Sequence, residues 1–170
     1  MTTGPESVAR GEIELEVQQG LDEVEALLSS NVSAERSRIG DLTTHLAEAG
    51  GKRLRPVLTL ICSHLGAPHR AQSEPVIAAA TGVELTHLAS LYHDDVMDEA
   101  DMRRGVESAN QRWNNSVAIL AGDYLFAIAS HLLARLGAET VAHFATTFGE
   151  LVTGQMRESV GCPDGADEVE

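Results

Sequence analysis

Between one chain breaker and the next, the apolar residues of this 170-residue chain recur at intervals of three and four. Ile13, Val17, Leu21, Val24, Leu27 and Leu28 set that rhythm near the start. No window sustains the period-two alternation of a half-buried strand. The pattern excludes a sheet-based architecture and predicts an all-α fold in one domain. A chain of this length buries about 70% of the surface it exposes when unfolded, so its core needs no staples.

The breakers divide the chain. Residues 1–7 read as a loose tail, and the spacing predicts a helical body over residues 8–160. A first helix runs from about Val8 to Ser30, and Ser33 is placed to cap a second that ends at Gly50-Gly51. Pro56 suits the first turn of a third helix, ending near Leu65. A fourth is expected from Glu74 to Asp98, and Asp101 to Ser108 reads as a loop. A short helix follows to Trp113, then long ones from Ser116 to Leu136 and from Ala138 to Val160. Residues 161–170 form an acidic stretch opened by breakers, read as leading into a further part of a longer chain. About seven helices are expected.

Charge narrows the partners. A formal net charge of −14 argues against nucleic acid and anionic membranes. Val117 to Leu136 is apolar enough to raise the question of a membrane span. It contains Asp123, His131 and Arg135, so a buried helix is the better reading. Cys62 and Cys162 show no pairing pattern and no signal segment opens the chain, so reduced thiols and a cytoplasmic setting are expected.

Against that background two clusters stand out. Asp94-Asp95-Val96-Met97-Asp98 crowds three carboxylates into five residues. On a helix Asp94 and Asp98 share a face, with His87 two turns back in nearly the same direction. Carboxylates spaced in this way suit a hard divalent ion such as Mg²⁺, which commonly carries substrate phosphates. Arg103-Arg104 would serve those phosphates. The second cluster, Gly50-Gly51-Lys52-Arg53-Leu54-Arg55-Pro56, puts three cations at a turn before a helix start, where a diphosphate would be at home. Its plainer reading is a surface charge cluster with Arg53 and Arg55 paired to acids. Lys52 is the only lysine in the chain.

The G-G-K-R-L-R-P loop, His87, the D-D-V-M-D run and Arg103-Arg104 together resemble the trans-isoprenyl diphosphate synthases, or polyprenyl synthetases, over about Glu35 to Glu158. Terpene cyclases share the D-D-x-x-D element, and the basic loop tips the resemblance towards the chain-elongating enzymes. The resemblance implies an isoprenoid-synthase-type helical bundle, incomplete here, in a homodimer without a membrane span. It also implies a prenyltransferase that condenses isopentenyl diphosphate with an allylic diphosphate into geranylgeranyl or longer products. By the same resemblance Asp94 and Asp98 are Mg²⁺ ligands and Asp95 supports them. Arg103 holds the allylic diphosphate, and Lys52, Arg55, His87 and Arg104 bind isopentenyl diphosphate. Gly154-Gln155-Met156-Arg157-Glu158 resembles a family segment lining the cavity, with Gln155 as its candidate for substrate contact. Ala89 and Ser90, small where short-chain members carry an aromatic, imply a long product; alternatively, they only ease helix packing.

Members of that family are longer and carry a second aspartate-rich motif after a Lys-Thr pair, neither of which follows Glu158 here. The expectation is the N-terminal part of a longer enzyme. The reading left open beside it is a short, non-catalytic homologue or regulatory subunit that binds diphosphates. A different class, the His-Asp phosphohydrolases, would use His93 with His64 or His69. That class leaves the basic loop without a role. His45, His131 and His143 read as core or surface, and Asp123 as partner to a nearby cation or hydroxyl. Trp113 and Phe126 read as core or subunit contacts.

Overall fold

Helices make up most of what the computed structural model describes, residues 5–33, 38–66, 68 and 71–161. In chain order they are α1 (Pro5–Val32), α2 (Arg38–Glu48), α3 (Leu54–Ser63), α4 (Glu74–Met97), the short α5 (Ala109–Arg112), α6 (Asn115–Ala134) and α7 (Ala138–Val160). The all-α expectation holds, and α4 and α7 fall within a residue of their expected ends. The first helix starts at Pro5, inside the stretch read as a tail; proline is well suited to a first helical turn. Ser33 closes α1, its backbone N and its Oγ both donating to Ser29 O, at 3.0 and 2.5 Å, and the turn it would cap lies outside the described residues. Residues 34–37, His69 and Cys162 lie outside the described residues, whereas Cys62 is free and exposed.

One expectation needs correcting. The stretch read as a loop contains a two-stranded antiparallel hairpin, β1 (Met102–Arg103) with β2 (Val106–Glu107), in which Arg103 faces Val106. Strands of two residues are too short to show any period. The residues between them, Arg104 at φ 52° and Gly105 at φ 81°, both have the left-handed backbone that a type I′ hairpin turn demands. Arg104-Gly105 was therefore the legible sign.

The core forms around α4 and α6. Leu85, Leu88, Ala89 and Tyr92 of α4 meet Ala118, Ala121, Leu125, Ala129 and Leu132 of α6. Each buried leucine contributes about 1.5–3 kcal/mol relative to exposure. The helices approach closely because Gly122 has no side chain. A Cβ there would lie 2.4 Å from His93 Nε2 and 3.0 Å from Ala89 O. Although α6 is long and apolar enough to cross a membrane by length and composition, that face is occupied by α4. A smaller cluster joins α1 to α3 and α4 through Val24, Leu60, Ile77 and Ala80. Tyr92 ties α2 to α4, its hydroxyl donating to Leu42 O and accepting from Leu46 N. Trp113 and Phe126 pack at the core margin as expected. By contrast α7 rests on α6 through Phe126 against Phe144 and Phe148 and has no buried residue. Leu151, Met156 and Val160 stand exposed along it.

Candidate functional site

The acidic cluster occupies the last turn of α4. Asp94 is half-buried and Asp95 fully buried, while Asp98 follows the last helical residue and is 61% exposed. Helix C-termini carry partial negative charge, which adds to the mutual repulsion of three carboxylates. Arg103 answers part of it, with Nε donating to Asp95 Oδ1 at 2.5 Å and Nη2 lying 3.8 Å from Asp98 Oδ2. Burial, and then the Asp98 charge, push the Asp94 carboxyl above the ordinary range. Burial does the same to Asp95 despite Arg103. Asp95 Oδ2 is buried without a hydrogen-bond partner. This donor set fits a hard cation held by Asp94 and Asp98. Among the described residues no three potential ligand side chains converge into a full cage. Magnesium bound through one or two carboxylates, with phosphate and water completing its shell, needs no such cage.

The basic loop takes its shape from left-handed backbone: Gly50 at φ 80°, Gly51 at φ 149° and Arg53 at φ 47°. Arg53 is a non-glycine residue in this strained region. Its turn sends the guanidinium inwards, where it is 8% exposed. There it pairs with Glu25 of α1, reaches Glu84 of α4 at 3.0 Å and donates to Ala47 O of α2 at 3.0 Å. Burial works against its charge, but Glu25 and Glu84 outweigh it and raise the pKa. The charge-cluster reading of this loop is thus right for Arg53. It does not extend to Lys52 and Arg55, which are exposed and have no ion pair or hydrogen bond from their charged ends among the described residues.

The hairpin joins the two clusters. Its consecutive arginines point to different partners: Arg103 to the acidic end, Arg104 to the loop. Arg104 Nη1 donates to Leu46 O at 3.1 Å and to Gly50 O, and Nη2 lies 3.9 Å from Glu84. Gly51 has no side chain where Arg104 passes; a Cβ there would sit 3.0 Å from Arg104 Cζ. His45 steadies β2 from α2, one ring nitrogen 2.7 Å from Glu107 O and the other 3.1 Å from Arg112. Between the clusters lies His87. Burial, then the charges of Arg55, Arg104, Arg103 and Arg53, lower its pKa to about 4, so it is neutral at ordinary pH. The same burial lowers the pKa of Arg104.

Asp94, Asp95, Asp98, Arg103, Arg104, Arg55, His87 and Lys52 therefore fall in one region of the bundle, and the remaining expected residues do not all follow. Gln155 is half-buried on α7, and among the described residues no hydrogen bond or ion pair links its side chain to these groups. Ala89 is closed into the interface with α6, whereas Ser90 is half-buried and donates only to His87 O, at 2.9 Å. His93 faces α6, with Nε2 3.4 Å from Asp123 Oδ1 and 3.1 Å from Ile119 O, so Asp123 lies beside an imidazole. His131 and His143 are exposed, and His64 sits 3.6 Å from Glu16. Glu84 was missed. It is a lone acid in the apolar run Val83-Glu84-Leu85, three residues before His87, and that spacing was its only clue.

Comparison with known proteins gives this arrangement a context. Residues 36–168 match the polyprenyl synthetase family. A nonaprenyl diphosphate synthase of Mycobacterium tuberculosis is 49% identical over 154 residues, 91% of this chain and 45% of the relative. Heptaprenyl diphosphate synthase component 2 of Geobacillus stearothermophilus is 39% identical over 137 residues, covering 79% and 42%. Among solved structures, geranylgeranyl pyrophosphate synthase of Corynebacterium glutamicum, complexed with calcium and isoprenyl diphosphate, superposes with a TM-score of 0.76 at 52% identity. That match covers 96% of this chain and 48% of the other. The chain spans about half the length of the relatives it matches.

Proposed function

Since the chain belongs to the polyprenyl synthetase family, we propose that it binds two diphosphates side by side and forms the prenyl-transfer half-site of a trans-polyprenyl diphosphate synthase. The observation that carries this reading is the division of labour in the hairpin. Arg103 serves an acidic, metal-ready end, and Arg104 serves a loop whose Lys52 and Arg55 remain uncommitted. One diphosphate is held through Mg²⁺ on Asp94 and Asp98, the other by bare cations and His87.

Bound there, Mg²⁺ supplies charge neutralisation for a leaving diphosphate. Arg103, oriented by Asp95, takes up part of the same developing charge. The allylic C–O bond breaks and its electron pair leaves with the diphosphate. The double bond of isopentenyl diphosphate then attacks the allylic cation and forms the new C–C bond. A proton is lost to the departed diphosphate, so no protein base is required. Lys52, Arg55 and His87 contribute by holding the second substrate beside the first.

Product length beyond farnesyl, a dimer formed through α6 and a cytoplasmic setting belong to the same proposal. A diphosphate-binding partner without turnover is the second reading, favoured by the open face of α7. Incubation with labelled isopentenyl diphosphate, geranyl diphosphate and Mg²⁺ distinguishes the two. Prenyl product establishes the enzyme; metal-dependent binding of both ligands without product establishes the partner. Binding of neither refutes the proposal.

A further inference from the structure

Glu84 is 2% exposed, one helical turn before His87 on α4. A buried carboxylate beside an anion subsite opposes ligand binding on charge alone, so its presence calls for another benefit. Its contacts supply one. Oε1 accepts from Arg53 Nη1 at 3.0 Å and lies 3.9 Å from Arg104 Nη2. Arg53 opens the helix that follows the basic loop, and Arg104 grips the loop's start at Gly50 O. One anion thus stands between two guanidinium groups that would otherwise repel each other, and each of those groups holds one end of the loop.

We propose that Glu84 is a positioning residue for the metal-independent diphosphate subsite. It fixes Arg53 and Arg104 and, through them, the Gly50–Arg53 loop and the first turn of α3, so that Lys52 and Arg55 present their charges to the second diphosphate. The inference rests on the reading of this region as a diphosphate site. It adds a residue that touches neither ligand and that sets the affinity of only one of them. Glutamine at this position keeps the volume and one hydrogen bond to Arg53 but loses the charge that offsets the two arginines. Aspartate keeps the charge but is too short to hold the 3.0 Å contact without movement.

Calorimetry on the 170-residue chain tests this with two probes: isopentenyl diphosphate in EDTA, and geranyl diphosphate with Mg²⁺. Glu84→Gln is expected to weaken the first about tenfold while changing the second less than about twofold, with Glu84→Asp between parent and Gln variant. Parallel weakening of both ligands, as general loosening of the fold would cause, overturns the proposal. So does unchanged or tighter isopentenyl diphosphate binding in Glu84→Gln. If Glu84→Gln does not fold, Glu25→Gln loosens the same Arg53 from a side chain that is 43% exposed. The same selective loss is then expected at about threefold, and no loss overturns the proposal. A parent chain that binds neither probe fails at the level of the diphosphate-site reading, and the role of Glu84 falls with it.

Discussion

Three residues of the site each carry a testable claim, Asp94 and His87 through their charge and Ser90 through its size. Asp94 is desolvated and faces Asp98 at a helix C-terminus, and its raised pKa reports a charge that destabilises the fold. Asp94→Asn should therefore raise the metal-free Tm, by about 2 °C, while abolishing Mg²⁺-dependent stabilisation by geranyl diphosphate. Thermal melts with and without metal check both halves. His87 is the second case. With a folded pKa near 4, below the unfolded value of about 6.5, it remains neutral while the unfolded chain gains a proton. Its contribution to stability is present above pH 6.5 and is lost as pH falls towards 4. An anion beside it would offset the arginines, so the His87 NMR titration midpoint should move up when isopentenyl diphosphate is added. A midpoint unmoved by saturating ligand would show that the diphosphate sits elsewhere. Third, Ser90 is the more informative of the two small residues before the acidic run. Ala89 is sealed against α6, where a larger side chain would overpack by about 1–3 kcal/mol. Ser90→Phe is expected to shorten prenyl products with little change in Tm, as read by chromatography of the hydrolysed products.

At the level of elements, the hairpin and the glycine loop behave as one unit. Gly51→Ala would combine an unfavourable φ of 149° with a contact 3.0 Å from Arg104 Cζ. The expected result is about 1–3 kcal/mol of destabilisation in urea melts and weaker isopentenyl diphosphate binding, with geranyl diphosphate binding retained. The helices were legible because a 3.6-residue period persists over many residues, and the acidic and basic clusters because like charges rarely crowd without purpose. What stayed hidden was non-local. Nothing in the sequence around Arg53 says that it turns inwards while its neighbours Lys52 and Arg55 turn out. That division depends on a left-handed backbone and on Glu25 and Glu84, 28 and 31 residues away. The hairpin was likewise too short for any periodic signal, and only its Arg-Gly turn announced it.

Over the whole molecule, apolar surface is unevenly covered. The α4–α6 pair is well packed, but Ile119, Leu120 and Tyr124 of α6 are exposed, as are Leu151, Met156 and Val160 of α7. If α6 forms the proposed dimer contact, sedimentation should give twice the chain mass, and Leu120→Glu should shift it towards monomer without altering helix content by circular dichroism. A monomeric parent would remove α6 from that role. The two arginines proposed as anion hooks also have a geometric constraint between them. Arg103 and Arg104 are neighbours in the chain, so their Cα atoms stay about 3.8 Å apart whatever the helices do. Breathing of the bundle moves the two backbone origins together, while each guanidinium follows its own partner. One peptide linkage thus sets where the two side chains start, and Asp95 on one side and the Gly50 carbonyl on the other set where they end.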